Sequence, residues 1–126
     1  MYDREIVIDL LQNMIEATRK IQHRNLNISS IDDYLQNDES MMLLDSLCMQ
    51  LIAIGEGVKK IDKETDKMLL HAHTSIPWRE IAGMRDILSH HYFDLNAEVV
   101  FEVTTEQIPR LEAVLRDILD DVQENS

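Results

Sequence analysis

Apolar residues recur at steps of three and four along most of this chain, and that rhythm leaves little room for anything but packed helices. Near the N-terminus Ile6, Leu10, Met14, Ala17 and Ile21 follow it, and Val7, Leu11, Ile15 and Thr18 widen the stripe. They predict a helix from about Asp3 to His23. A second seam, Leu44, Leu47, Leu51, Ile54, Val58 and Ile61, is broadened by Leu43, Cys48 and Ile52 and predicts a helix from about Ser40 to Ile61. Pro77 suits the first turn of a third helix, where its missing N–H would be unpaired anyway. Trp78, Ile81, Met84 and Leu88 then carry its apolar stripe to about Phe93. The last helix, with Ile108, Leu111, Leu115, Ile118 and Val122, must begin near Glu106 to Ile108, because Pro109 fits only a first turn. Three glycines and two prolines in 126 residues are too few for a turn-rich β-sandwich. The expected fold is all-α: an antiparallel four-helix bundle with short extra helical segments, in one domain spanning residues 1–126.

The connections carry their own signals. Residues 25–39 are polar, and Ser30 followed by Asp33 is a capping pair for a short turn through Leu35. Residues 62–76 read as a polar linker containing His71 and His73, and Val99 to Val103 reads equally as a strand or a short helix. Gly55 and Gly57 fall inside the second helix, where each costs roughly 1 kcal/mol against Ala. Close approach by another backbone or a ligand is the expected reason.

Composition narrows the class. Charged residues make up 29% of the chain, no stretch approaches the roughly 18 apolar residues of a membrane span, and no basic segment followed by an apolar run opens the sequence. No membrane association and a reducing cytoplasm are expected. The single cysteine, Cys48, lies in an apolar run and reads as a small core residue, not a nucleophile. The seven methionines, Met41 and Met42 among them, read as gap-fillers or interface residues. Asp117, Asp120, Asp121 and Glu124 read as a solvated helix face. The net charge of −12 should repel nucleic acid and favour a basic partner, so any nucleic-acid chemistry requires a local positive site.

Chemistry concentrates in Arg85-Asp86-Ile87-Leu88-Ser89-His90-His91-Tyr92. A guanidinium grips phosphate through paired N–H donors, and an imidazole titrating near neutrality serves as general base on a ribose 2′-hydroxyl or general acid on a leaving oxygen. Asp86, four residues before His90, can accept from the imidazole and raise its pKa. Arg85 and Tyr92 lie within roughly 20° of each other on a regular helix, but Arg85 and His90 are about 140° apart. A helix that unwinds near Ser89, or a second subunit, would bring them together. The functional reading is a phosphodiester site without a metal. The plainer one is a surface ion pair between Arg85 and a nearby carboxylate, with His90 a polar residue favoured at a helix end. Four of the five histidines fall between His71 and His91, yet no cysteine pair or His-Glu-x-x-His accompanies them, and no metal is expected.

Several segments, taken in order, carry a family resemblance. They are Leu51-Ile52-Ala53-Ile54-Gly55-Glu56-Gly57-Val58, then residues 76–86 from Ile76-Pro77-Trp78 to Met84-Arg85-Asp86, then Leu88 to Asp94, and Ile108-Pro109-Arg110-Leu111. The chain resembles the HepT-like branch of the HEPN superfamily over nearly its whole length, from the first helix to about Leu119. The most specific features are glycine-glutamate on the second helix, proline-tryptophan opening the third, and Arg-x4-His-x-Tyr. The resemblance implies a ribonuclease toxin of a toxin–antitoxin pair, with Arg85 and His90 as the catalytic Arg-x4-6-His signature. Asp86 stands where a polar residue, often Asn, follows the arginine; it adds negative charge beside the phosphate grip. Tyr92 takes the position that a partner nucleotidyltransferase antitoxin (MNT) modifies with AMP, using ATP as donor. Phosphate on Tyr92 would then fill the site beside Arg85. The resemblance also implies a homodimer whose two motifs face a shared cleft, RNA as substrate and no cofactor. The alternative is a non-enzymatic helical partner that binds a nucleotide or presents substrate to the nucleotidyltransferase; it uses Arg85 and Tyr92 but needs no proton transfer by His90. His91 either adds charge to the cleft or packs outward, and Glu56, beside Gly55, reaches toward the same region without a catalytic role.

Overall fold

The computed structural model describes residues 2–89 and 93–124. Helix α1 spans Arg4–Arg24 and starts where the Asp3 carboxylate accepts the N–H groups of Glu5 and Ile6 at 3.0 and 3.3 Å. Its buried face comprises Val7, Leu11, Met14, Ile15, Ala17, Thr18 and Ile21. Met14, Ala17 and Ile21 of the predicted centre line are buried together with the flanking Val7, Leu11, Ile15 and Thr18, whereas at the N-terminal end Ile6 is 48% exposed and Leu10 only half-buried. This broad buried stripe serves two neighbours at once, α2 and α7.

A 3-10 turn, Ile31–Tyr34, follows with the expected Ser30–Asp33 capping box. Helix α2, Asp38–Thr65, is opened by a second reciprocal cap between Asn37 and Ser40. All six residues of its predicted seam are buried. It extends four residues past Ile61 into the segment expected to be linker, because Thr65 is itself buried and donates to the Ile61 carbonyl at 2.8 Å. Asp66 and Lys67 then adopt left-handed backbone, with φ of 52° and 64°, before the short helix α3, Met68–His71, which buries Leu70.

Paired ends establish the helix directions. Arg4 donates to the carbonyl of Val122, while Gln22 at the other end of α1 donates to the Glu112 carboxylate, so α1 and α7 are antiparallel. The Asp3 N–H reaches Glu64 and Arg24 reaches Ser46, so α1 and α2 are antiparallel as well. No strand occurs among the described residues, and the fold is an all-α helical bundle.

The expected third helix is two helices. Pro77 caps α4, Trp78–Ala82, and α5 follows as Met84–Ser89. The interruption falls at Gly83, a weak helix former, whose N–H is shared between the carbonyls of Arg79 and Glu80 at 3.1 Å each. Trp78, Ile81, Met84 and Leu88 are nonetheless all buried, as their spacing predicts. The ambiguous segment is helical: α6 spans Phe93–Glu102 and passes through a π-helical turn, Val103–Gln107, into α7, Ile108–Glu124. Pro109 has no N–H to offer the Thr105 carbonyl, and the widened turn absorbs that loss just before it. The π turn is tied to the loop after α1: Tyr34 donates to Asn25 at 2.7 Å, and Asn25 donates to Thr104 at 2.9 Å.

One composition-based expectation fails. Helix α2 contains an 18-residue stretch of mean hydropathy high enough, by length and composition, to cross a bilayer. Apolar residues on both its faces produce this: the seam is core, while Met42 and Met49 are 69% and 64% exposed. In this fold the seam packs on α1, α4, α5 and α6.

Candidate active site

The site is assembled by a close helix crossing. A Cβ placed on Gly55 would lie 2.5 Å from the Ile81 carbonyl oxygen, nearer than any real side chain tolerates. Only glycine lets the backbone of α4 approach α2 at this depth, which is the close packing that the mid-helix glycines predict. Gly57 has a different neighbour, the Met14 side chain of α1 at 2.8 Å. Between the two glycines, Glu56 points out of the crossing toward α5, and Arg85 sits in the first turn of α5.

Arg85 is exposed, with 58% of its side chain accessible, and its Nε stands 3.7 Å from Glu56 Oε1. Lys59, one turn along α2, holds the other carboxylate oxygen of Glu56 at 3.1 Å. The Lys59 hydrogen bond, followed by the charges of Lys59, Arg85 and Lys60, keeps the Glu56 carboxyl below its ordinary range against the opposing effect of desolvation. Glu56 is thus anionic at neutral pH and aligns the guanidinium without committing it. A pair 3.7 Å apart in solvent is weak.

The surface ion pair that the plainer sequence reading allows is therefore present, with Glu56 as the carboxylate. Asp86 is exposed next to Arg85, and Ser89 Oγ donates to its main-chain carbonyl at 3.4 Å. Helix α5 is described as far as Ser89. His90, His91 and Tyr92 lie outside the described residues, so the expected pairing of Asp86 with His90 and the placement of Tyr92 beside Arg85 do as well. Lys59 is a participant that sequence reasoning misses. Its only signal is the three-residue spacing from Glu56.

A family comparison covers this region. The HepT-like ribonuclease family matches residues 14–118, a span that includes the glycine crossing and Arg85 and reaches into α7. The chain belongs to the HepT-like ribonuclease family. A relative named as a candidate RNase in Caldanaerobacter subterraneus subsp. tengcongensis is 37% identical over 90 residues, covering 71% of this chain and 74% of the relative. One named probable ribonuclease HepT in Thermococcus cleftensis is 32% identical over 103 residues, covering 82% of this chain and 86% of the relative. A further candidate RNase, in Methanocaldococcus jannaschii, is 26% identical over 123 residues, with 95% and 89% covered. No solved structure matches.

Within this HepT-like chain the other chemical candidates resolve simply. Cys48 is half-buried, and desolvation with the nearby Asp45 charge pushes its thiol up to about 11, which suits a packing residue and not a nucleophile. His71 Nε2 is engaged by Asp62 at 3.0 Å. Among the described residues no three His, Cys, Asp or Glu side chains come together as metal ligands. Asp117, Asp120, Asp121 and Glu124 lie on the outer side of α7 and keep the solvated face their pattern predicts.

Proposed function

We propose that this HepT-like ribonuclease is an RNA-cleaving toxin acting in the cytoplasm. The observation that carries the reading is Arg85: an exposed guanidinium at the start of α5, aligned by Glu56, in a segment matched by a ribonuclease family. In this mechanism Arg85 binds the non-bridging phosphate oxygens and gains strength as charge builds on them in the transition state. His90 accepts the proton of the ribose 2′-hydroxyl, the 2′-oxygen bonds to phosphorus, and the bond to the 5′-oxygen breaks with a proton returned to that leaving oxygen. A cyclic phosphate and a 5′-hydroxyl result, and neither a cofactor nor a metal is required for the balance. Asp86 supports His90.

Two copies of the chain share one cleft, so that Arg85 of one works with His90 of the other; this answers the angular separation that the two residues would have on a regular helix. Met42 and Met49, both exposed and seven residues apart on α2, supply apolar surface suited to a second copy. A nucleotidyltransferase antitoxin silences the pair by transferring AMP from ATP to Tyr92: the phenolic oxygen bonds to the α-phosphorus, pyrophosphate leaves with the phenolic proton released to solvent, and the new phosphate stands against Arg85.

Expression in a growing host tests this. Wild type without antitoxin is expected to arrest growth and degrade RNA, while Arg85→Ala and His90→Ala are harmless. Tyr92→Phe is expected to gain no AMP mass when the nucleotidyltransferase is co-expressed. A harmless wild type that leaves RNA intact contradicts the proposal and favours the non-enzymatic binding partner.

A further inference from the structure

The −12 charge makes RNA an awkward substrate unless positive charge is gathered somewhere. It is gathered between residues 59 and 85, where six of the chain's twelve lysines and arginines stand against four carboxylates. Four of those cations, Lys59, Lys63, Lys67 and Arg79, line a single open cleft of about 860 Å³ between the C-terminal end of α2 and α4. Of the two carboxylates that also line it, Asp62 is already engaged by His71 at 3.0 Å.

The three lysines are spaced four residues apart. For Lys59 and Lys63, both on α2, that spacing is a rise of about 6 Å on one face, comparable to the distance between successive phosphates on an extended strand. Lysines near a helix C-terminus also interact favourably with the helix dipole, which would account for Lys63 alone. It does not account for Arg79, which faces them from α4, nor for Lys67, which lies beyond the helix. Lys67 follows Asp66 in left-handed backbone, φ 64° after 52°, a conformation that costs energy in non-glycine residues and that a functional position tolerates. The cleft is also continuous with the site: Lys59 lines it while contacting Glu56, and Glu56 faces Arg85.

We propose that this cleft is the track for the phosphate backbone of the RNA strand that is cut at Arg85. The inference rests on the ribonuclease reading and adds the surface that carries the strand to the reacting bond. Lys67, Lys63, Lys59 and Arg79 contact successive phosphates, without regard to base, and the acidic remainder of the surface keeps the strand from binding elsewhere.

The probe is an uncleavable 2′-O-methyl RNA oligonucleotide, titrated by fluorescence anisotropy against the full-length chain at several salt concentrations. Replacing Lys59, Lys63, Lys67 and Arg79 by Gln is expected to weaken binding roughly tenfold or more and to flatten the log–log salt slope by about 0.7 for each phosphate no longer neutralised. Lys63→Arg and Lys67→Arg should retain affinity, and Lys67→Gly should raise the melting temperature while weakening binding. Unchanged affinity and slope in the folded Gln variants overturn the proposal, and so does equal competition by an acidic peptide of matched charge. Failure of the cleavage reading is distinguishable: wild type would bind the probe with this salt slope yet leave ordinary RNA intact.

Discussion

The frame and the arm of this molecule are built on different terms. The frame, α1, α2 and α7, consists of helices of 21, 28 and 17 residues whose seams are buried almost without exception. The arm, α4 and α5, consists of helices of five and six residues that would not persist alone. It is held by Trp78, Ile81, Met84 and Leu88 and by the contact of its backbone with Gly55. Most of the buried core lies in the first, and the candidate site lies on the second. An exposed arginine can be placed with some rigidity on two turns of helix because a long helix lies immediately beneath them.

That division can be broken by substitution. Leu47, fully buried in α2, should cost about 2–5 kcal/mol when replaced by Ala. At temperatures where the variant remains folded, its RNA cleavage should be close to wild type; chemical denaturation and a cleavage assay together check this. Loss of cleavage in the folded variant would mean that frame and site are not separable. Cys48 provides a second check on the frame. With its thiol raised from 9.0 to about 11, alkylation at pH 8 should be about 100-fold slower in the folded chain than in urea, as followed by intact mass.

The junction of frame and arm is sharpened by the two glycines. Gly55→Ala meets backbone, which cannot step aside, and should cost about 1–3 kcal/mol and lower cleavage as α4 and α5 shift. Gly57→Ala meets only the flexible end of Met14 and should cost less, with cleavage retained. Equal effects from both would remove the special role given to the α2–α4 crossing. The smallest effect is expected at Glu56. Its folded pKa is depressed, so any stabilisation it gives is present above the ordinary carboxylate range and lost as pH falls through the depressed value. Wild type and Glu56→Gln should therefore unfold alike in acid, and any difference should emerge only toward neutral pH.

What the sequence makes legible follows the same division. The seams of α2 and α7 can be read residue by residue, because one strong apolar stripe packed against a single core leaves no ambiguity. The α1 seam is legible too, except at its N-terminal end, where Ile6 is exposed and Leu10 half-buried. The interruption at Gly83 and the π turn before Pro109 escape such a reading: each alters a few backbone hydrogen bonds while leaving the apolar spacing intact. Arg85 is legible as chemistry, but its alignment by Glu56 and Lys59 depends on a tertiary crossing that spacing along the chain does not encode. The clustering of the α2 lysines is concealed by the acidity of the chain as a whole.

If Arg85 of one chain acts with His90 of another, dimers that mix two inactive variants should recover cleavage. Arg85→Ala and His90→Ala, each purified and shown to unfold like wild type, should be inactive alone. After subunit exchange in an equimolar mixture, half the dimers should be mixed and carry one intact composite site, restoring about a quarter of wild-type cleavage. A mixture as inactive as its components, alongside an active wild type, would contradict a site shared between two copies.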